Sequence, residues 1–183
     1  VEVPHGARLD VNAVSSDIEV QGVDGDQTYK SVSGDIEVDC HGGRVSLTTI
    51  SGDVELRSDR PAEASLTTTS GDVEIEAAML RALKVRTVSG DAEIRTGFVP
   101  GPLHTVESVS GDLSLEALSG LNVEVRTGLN IASDSGRRMV VGDGAAQLRF
   151  RSMSGDVELD GRRVAAVERR ATATPPPPPR QDS

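Results

Sequence analysis

One eight-residue phrase recurs along this chain. SVSGDIEV at residues 31–38 returns as TISGDVEL, TTSGDVEI, TVSGDAEI, SVSGDLSL and SMSGDVEL, after a looser first copy, AVSSDIEV. Counted from the Ser of each phrase, the copies fall at Ser15, Ser33, Ser51, Ser70, Ser89, Ser110 and Ser154, in steps of 18, 18, 19, 19, 21 and 44 residues. A near-constant period of this length marks units too small to bury a core alone, which are stable only when stacked on their neighbours. The last step is about twice the others. It predicts a degenerate copy in the gap, for which VEVRTGLNI, residues 123–131, is the candidate.

Within the phrase, positions three and five after the Ser are apolar, as in Ile36 and Val38, Val54 and Leu56, or Val73 and Ile75, and a carboxylate such as Glu37, Glu55 or Glu74 stands between them. A period of two puts these on opposite faces of a half-buried strand. Before the Ser, position minus four is apolar (Tyr29, Leu47, Leu66, Val85) and position minus two is small (Ser31, Thr49, Thr68, Thr87). Position minus one is also mostly apolar (Val32, Ile50, Val88, Val109), which a flat strand cannot place on that same side, so the chain must bend there. The Gly that follows the Ser supplies permissive backbone for a corner, and the Asp can accept from nearby amides. Each phrase is therefore a strand, a corner and a strand, closed on its other side by variable turns such as QGVDGD, CHGGR and SDRPAE.

Stacked in register, such units make an all-β, single-stranded parallel β-solenoid of about eight coils over residues 1–163, a rod roughly 40 Å long at one strand spacing per coil. An up-and-down antiparallel barrel would not require the same residue at the same phase in every unit. MVVGDGAAQLRF, residues 139–150, departs from the pattern and reads as a hairpin or irregular coil belonging to an end cap. Residues 164–183, VAAVERRATATPPPPPRQDS, form a Pro-rich disordered tail whose five consecutive prolines favour polyproline II and cannot join a ladder.

The core must be narrow, because Tyr29, Phe98 and Phe150 are the only aromatic residues in 183. A formal net charge of -10 argues against nucleic acid or anionic lipid as partner, leaving cations, basic proteins and neutral glycans. The single Cys40 excludes an intramolecular disulfide and reads as a small residue at a strand end. No apolar run approaches the roughly 18 residues of a membrane span. The chain starts at Val1, already in an extended segment, which reads as a processed or trimmed piece with a signal or anchor outside it.

The SGDVEL-type repeats, the opening VEVPHGARLDV and the late GDGAAQLRF leading into SMSGDVEL together resemble a bacterial family of β-strand repeat proteins of unknown function, labelled as candidate adhesins. The resemblance spans about residues 1–163. It implies a right-handed β-solenoid, often joined to an envelope-targeting signal or a membrane segment, and it supplies no catalytic residues. The sequence departs from the repeat where Ser16 replaces Gly, where Ser114 replaces Glu, and where the copy near Gly128 lacks its Asp.

Stacking would align the Asp residues in one column and the Glu residues in another. A ladder of carboxylates can hold Ca²⁺, which takes six to eight oxygen ligands, and Asp35, Asp53, Asp72 and Asp91 are the candidates. Their spacing does not match the GGxGxD nonapeptide of calcium-loaded β-rolls, so the column reads first as structural, with each Asp serving amides at its own corner and no cofactor beyond weak Ca²⁺ binding. Arg57 and Arg95 stand beside Glu55 and Glu93 to relieve repulsion. No enzyme motif is present: GxSxG, HExxH and P-loop patterns are missing, and His5, His41 and His104 fall at unrelated phases. Ranked threonines for ice binding fail too, since position minus three offers only Thr48 and Thr67. The inward Ser and Thr at minus two would instead form a hydrogen-bonded ladder.

The expectation is a non-enzymatic, adhesin-like binding module of a cell-envelope, periplasmic or secreted protein, with an envelope glycan or protein as partner and no nucleic acid. End-to-end self-association into a scaffold, or a sensory role in a membrane-anchored protein, are the alternatives.

Overall fold

The computed structural model describes residues 8–127, 137–160 and 162–163, and these form strands, bends and turns without a helix. The first coil holds β1 (Leu9–Asn12) and β2 (Ile18–Val23), the second β3 (Gln27–Ser33) and β4 (Ile36–Cys40), the third β5 (Gly43–Ser51) and β6 (Val54–Ser58). In the fourth, β7 (Ala62–Ser70) is followed by the first half of β8 (Val73–Ser89), which rounds the molecule at an irregularity between Ala77 and Leu80 and opens the fifth coil with its second half. β9 (Ala92–Phe98) completes that coil, and β10 (Leu103–Ser110) and β11 (Leu113–Ala117) make the sixth.

Every one of these strands pairs in parallel with its equivalent one coil away. Val38 lies beside Leu56, Leu56 beside Ile75, Ile75 beside Ile94, and Ile94 beside Leu115. The result is a parallel β-solenoid of about six turns in chain order, with one sheet running β1-β3-β5-β7-β8-β10 and the other β2-β4-β6-β8-β9-β11. The parallel pairing rules out the antiparallel barrel. The inward columns are closed to water: Tyr29, Leu47, Leu66, Val85, Val106 and Phe150 on one sheet face Val38, Leu56, Ile75, Ile94, Leu115 and Leu159 on the other, each at most 1% exposed. Burial of each large aliphatic chain contributes about 1.5–3 kcal/mol.

The expected eight coils in chain order are corrected at the C-terminal end, where the layers are out of order. After β11 the chain passes over one layer to lay down β12 (Leu121–Thr127), then β13 (Arg137–Val141), before β14 (Ala146–Ser154) and β15 (Val157–Leu159) return to the vacant layer. β14 seats directly on β10, Phe150 beside Val106 and Ser154 beside Ser110, while β15 seats on β11. β12 stacks on the far side of β14, so the degenerate copy is a true strand in register, Val125 beside Phe150, but lies outside the last SGD copy rather than before it. Its residues 128–131 fall outside the described segments.

The corner explains the order. The last Ser-Gly-Asp copy continues the column: the Gly111 amide donates to the Ser154 carbonyl at 3.2 Å and the Asp156 amide to Asp112 Oδ1 at 2.7 Å. β12 leads into no such sequence. The hairpin expected at 139–150 is likewise corrected. β13 and β14 are joined through Gly142, Asp143 and Gly144 yet do not pair, because β12 lies between them, antiparallel to β13 and parallel to β14. This crossing favours Gly120, where a Cβ would lie 2.9 Å from the Asp143 backbone nitrogen as well as against its side chain. β13 and β16 (Arg162–Arg163), antiparallel to β12 and β15, finish the two sheets. The Pro-rich tail lies outside the described residues.

Candidate functional site

The repeated corner is the most regular feature of the surface, and its chemistry is built from backbone. Gly34, Gly52, Gly71, Gly90, Gly111 and Gly155 all have φ between 118° and 139°, a region that L side chains rarely adopt. They are also the closest approaches between coils: a Cβ on Gly71 would sit 2.2 Å from the Gly52 carbonyl oxygen. Ser16 departs from the pattern in the first described coil, where the corner has no positive φ.

Each Asp of the column accepts, through Oδ1, the backbone amide of the Asp one layer on. The distances are 3.1 Å from Asp17 to Asp35, 2.9 Å from Asp35 to Asp53, then 2.8 Å for Asp53 to Asp72, Asp72 to Asp91 and Asp91 to Asp112. The column is therefore a side-chain ladder parallel to the sheet ladders. The expectation that each Asp serves its own corner is corrected: it serves the next one, because the following strand leaves the corner at once and only the neighbouring coil presents a free N–H within reach. One carboxylate oxygen of Asp35, Asp53, Asp72 and Asp91, the calcium candidates, is thus engaged. Among the described residues no three His, Cys, Asp or Glu side chains converge as a metal site.

The small residues at minus two are inward, as expected, but do not form a ladder along the stack. Ser31, Thr49, Thr68 and Ser152 each donate to the carbonyl of the corner Ser two residues on in their own strand, at 2.8–3.4 Å. Thr87 and Ser108 hold buried hydroxyls without a partner. Position minus one points outward: the bend predicted there turns Val14, Val32, Ile50, Val88, Val109 and Met153 into a ridge along the corner, each 42–70% exposed.

The outer side of the second sheet carries the Glu column with the Asp column at its edge. On it Arg57 pairs across layers with Glu37 at 3.1 Å and, as expected, with Glu55 of its own strand, while Arg95 pairs across layers with Glu116 at 3.4 Å rather than with Glu93. The first sheet's outer side is mixed, with Arg44–Glu63 and Arg86–Glu107 both at 3.0 Å. At its end, Arg126 and Arg149 hold the Glu124 carboxyl below its usual range by direct hydrogen bonds.

The other titratable candidates do not converge. His41 meets Asp59 at 3.0 Å on the surface, whereas His104 is fully buried, edge-on to Phe98 with ring centroids 4.8 Å apart and Nε2 3.3 Å from the Val99 carbonyl. His5 lies outside the described residues. Cys40 is a buried strand-end residue, as expected, and burial pushes its thiol up. Buried Tyr29, whose hydroxyl donates to Gln27 Oε1 at 2.7 Å, is pushed up to about 12 chiefly by desolvation. Neither is poised as a nucleophile.

A family model described as Toastrack DUF4097 matches residues 1–116. The chain belongs to the Toastrack family. No curated protein and no solved structure matches it. The Toastrack match ends within β11, at the point where this chain stops adding layers in order. Toastrack is a repeat family of unknown function, so membership accounts for the solenoid and assigns no activity to its corner.

Proposed function

We propose that this Toastrack chain is a non-catalytic, adhesin-like binding module of a bacterial envelope or secreted protein, which engages an envelope protein or glycan along its regular side. The observation that carries the reading is the Asp column, unbroken through the SGD layers, with the Glu column beside it interrupted only at Ser114, which together present the same contacts over and over at one strand spacing. Repeat proteins use such extended surfaces for binding, because each layer adds contacts without a new fold. The family resemblance of the repeats is what supports an envelope location. Weak calcium binding by Asp35, Asp53, Asp72 and Asp91 would draw on the carboxylate oxygen that does not accept an amide.

The test is co-sedimentation of the full chain with fractionated envelope material, with calcium and with chelator, beside a protein-alone control. Saturable pelleting only with envelope supports the module, and its loss in chelator gives the Asp column a metal role. Absence of pelleting under every condition sinks the reading.

Self-association is the second reading, and the two ends favour a restricted form of it. Among the described residues β1 and β2 each pair on one side only, with Leu9, Val11 and Val20 half-buried beside the edge. At the other end, antiparallel β13 and β16 break the parallel phase. Pairing through the first end alone closes as a two-fold dimer, not a filament. Light scattering across a hundredfold range of protein concentration tests this; a constant monomer mass removes it.

A further inference from the structure

Among the described residues ten large hydrophobics are exposed, and six of them, Val14, Val32, Ile50, Val88, Val109 and Met153, fall in the single column at minus one. Only Thr69 interrupts it. The cause is geometric: sheet pairing skips this position, joining Ser31 to Thr49 and Ser33 to Ser51 while the residue between turns outward. A corner needs the bend, but a bend does not need an apolar side chain, and a polar residue in water there would cost nothing. An exposed apolar ridge of two three-layer runs, parted by one Thr, marks a contact.

The charges beside the ridge say what kind. Three residues on stands the exposed Asp column, and beyond it the Glu column of the second sheet. On the other flank the basic side chains are partly neutralised, Arg86 lying 3.0 Å and Arg151 3.9 Å from Glu107. A second copy laid ridge to ridge would bring two Asp columns together, and an anionic lipid surface would meet the same repulsion. A partner with its own apolar row and positive charge beside it meets neither penalty.

The spacing narrows it further. Layers are about 4.8 Å apart, whereas alternate residues of an extended strand are about 6.8 Å apart and drift by about 8 Å over four layers. Successive turns of a helix are about 5.4 Å apart and drift by about 2 Å over four layers, which side-chain torsions absorb. We propose that the corner ridge from Val14 to Met153 docks a cationic amphipathic helix of a partner protein, its apolar stripe on the ridge and its Lys or Arg flank over the Asp column. This rests on the binding-module reading and names the chemistry of its partner.

The experiment titrates the full chain against three labelled helical peptides of about 18 residues. One has a Leu/Ala stripe flanked by Lys, one has the same stripe flanked by Glu, and one has the Lys composition scrambled. The Lys-flanked helix is expected to bind at least about tenfold more tightly than either control. Ile50→Ser with Val88→Ser should weaken it by a similar factor without changing thermal stability, as both side chains are already half exposed. Asp53→Asn with Asp72→Asn, which keeps an oxygen acceptor for the corner amides, should reduce the salt dependence of binding. Equal binding of the scrambled peptide would reduce the effect to bulk charge and overturn the proposal, as would unchanged affinity in the Ser variant, or a dimer of the free chain that the Ser variant abolishes. If the envelope fraction still pellets the protein while the peptide fails, the helix partner falls and the binding module stands; if both fail, both fall.

Discussion

At Gly71 two constraints coincide, a φ of 128° and a carbonyl oxygen 2.2 Å from where a Cβ would go, whereas Gly101 has a φ of 116° with nothing within 4 Å. The pair separates conformational strain from collision. Gly101→Ala is expected to cost about 1–3 kcal/mol in urea unfolding, the usual range for a strained backbone, and Gly71→Ala distinctly more, because the methyl group has backbone and not a movable side chain in its way. Equal losses would mean the coils can part. The Asp that follows behaves differently. Asp72 Oδ1 accepts from the Asp91 amide at 2.8 Å, so Asp72→Ala should cost about 1–2 kcal/mol, while Asp72→Asn, which keeps the acceptor and removes a like charge from the column, should be near neutral. A third residue-level effect is set by pH. Burial holds His104 below the usual imidazole range, so it is neutral in the fold, and the unfolded chain binds a proton that the native state does not as pH falls through about 6.5. Stability should therefore decline from pH 7.5 to 5.5 until the buried ring itself protonates, and His104→Leu should flatten that decline; the same slope in the variant would assign it elsewhere.

The strands are where reading the sequence succeeded and where it stopped. The alternation of Val54, Glu55 and Leu56 about a fixed corner carried the strand faces, the core columns and the parallel stack, because burial and pairing repeat with the phrase. The orientation of Val32 and Ile50 could only be half read: alternation demanded a bend, but not which way the side chain went. Layer order was not legible at all. A period gives the phase of each strand and says nothing of which neighbour it takes when two compete for one edge, and here the competition is decided by the Gly155 and Asp156 corner, which continues the ladder on Gly111 and Asp112. The direction of the Asp hydrogen bonds was hidden for the same reason, since it links residues 18–21 apart within the in-order coils and 44 apart across the crossing. A crosslink tests the order. Ser110→Cys with Ser154→Cys, on adjacent layers, should form a disulfide, whereas Thr105→Cys with Glu124→Cys, separated by β14, should not; buried Cys40 does not compete. The reverse outcome would put β12 on β10.

Across the whole molecule the negative charge is lopsided. The Asp and Glu columns, with Asp39, Glu76, Glu116 and Asp160, share the second sheet from β2 to β15 and its corner with only Arg57 and Arg95 among the described residues, while most other basic residues lie on the first sheet, on the closing strand β16 or in the chain beyond the described segments. Like charges one layer apart repel by a few tenths of a kcal/mol at the surface, and salt screens them. Raising sodium chloride from about 0.05 to 0.5 M should therefore raise the melting temperature, by an amount that Asp53→Asn with Asp72→Asn reduces; a fall would mean that the cross-layer ion pairs dominate. The out-of-order layer bears on how such a rod is finished. During synthesis the first six coils can zip up one on another as they emerge, but β12 is made before the strand it must rest on, and the edge of β10 stands open to it meanwhile. The final step is an insertion: the last Ser-Gly-Asp copy has to seat β14 and β15 on β10 and β11 with β12 on its far side, so the edge of β10 stays uncovered by its native partner until the chain beyond Val141 has been made.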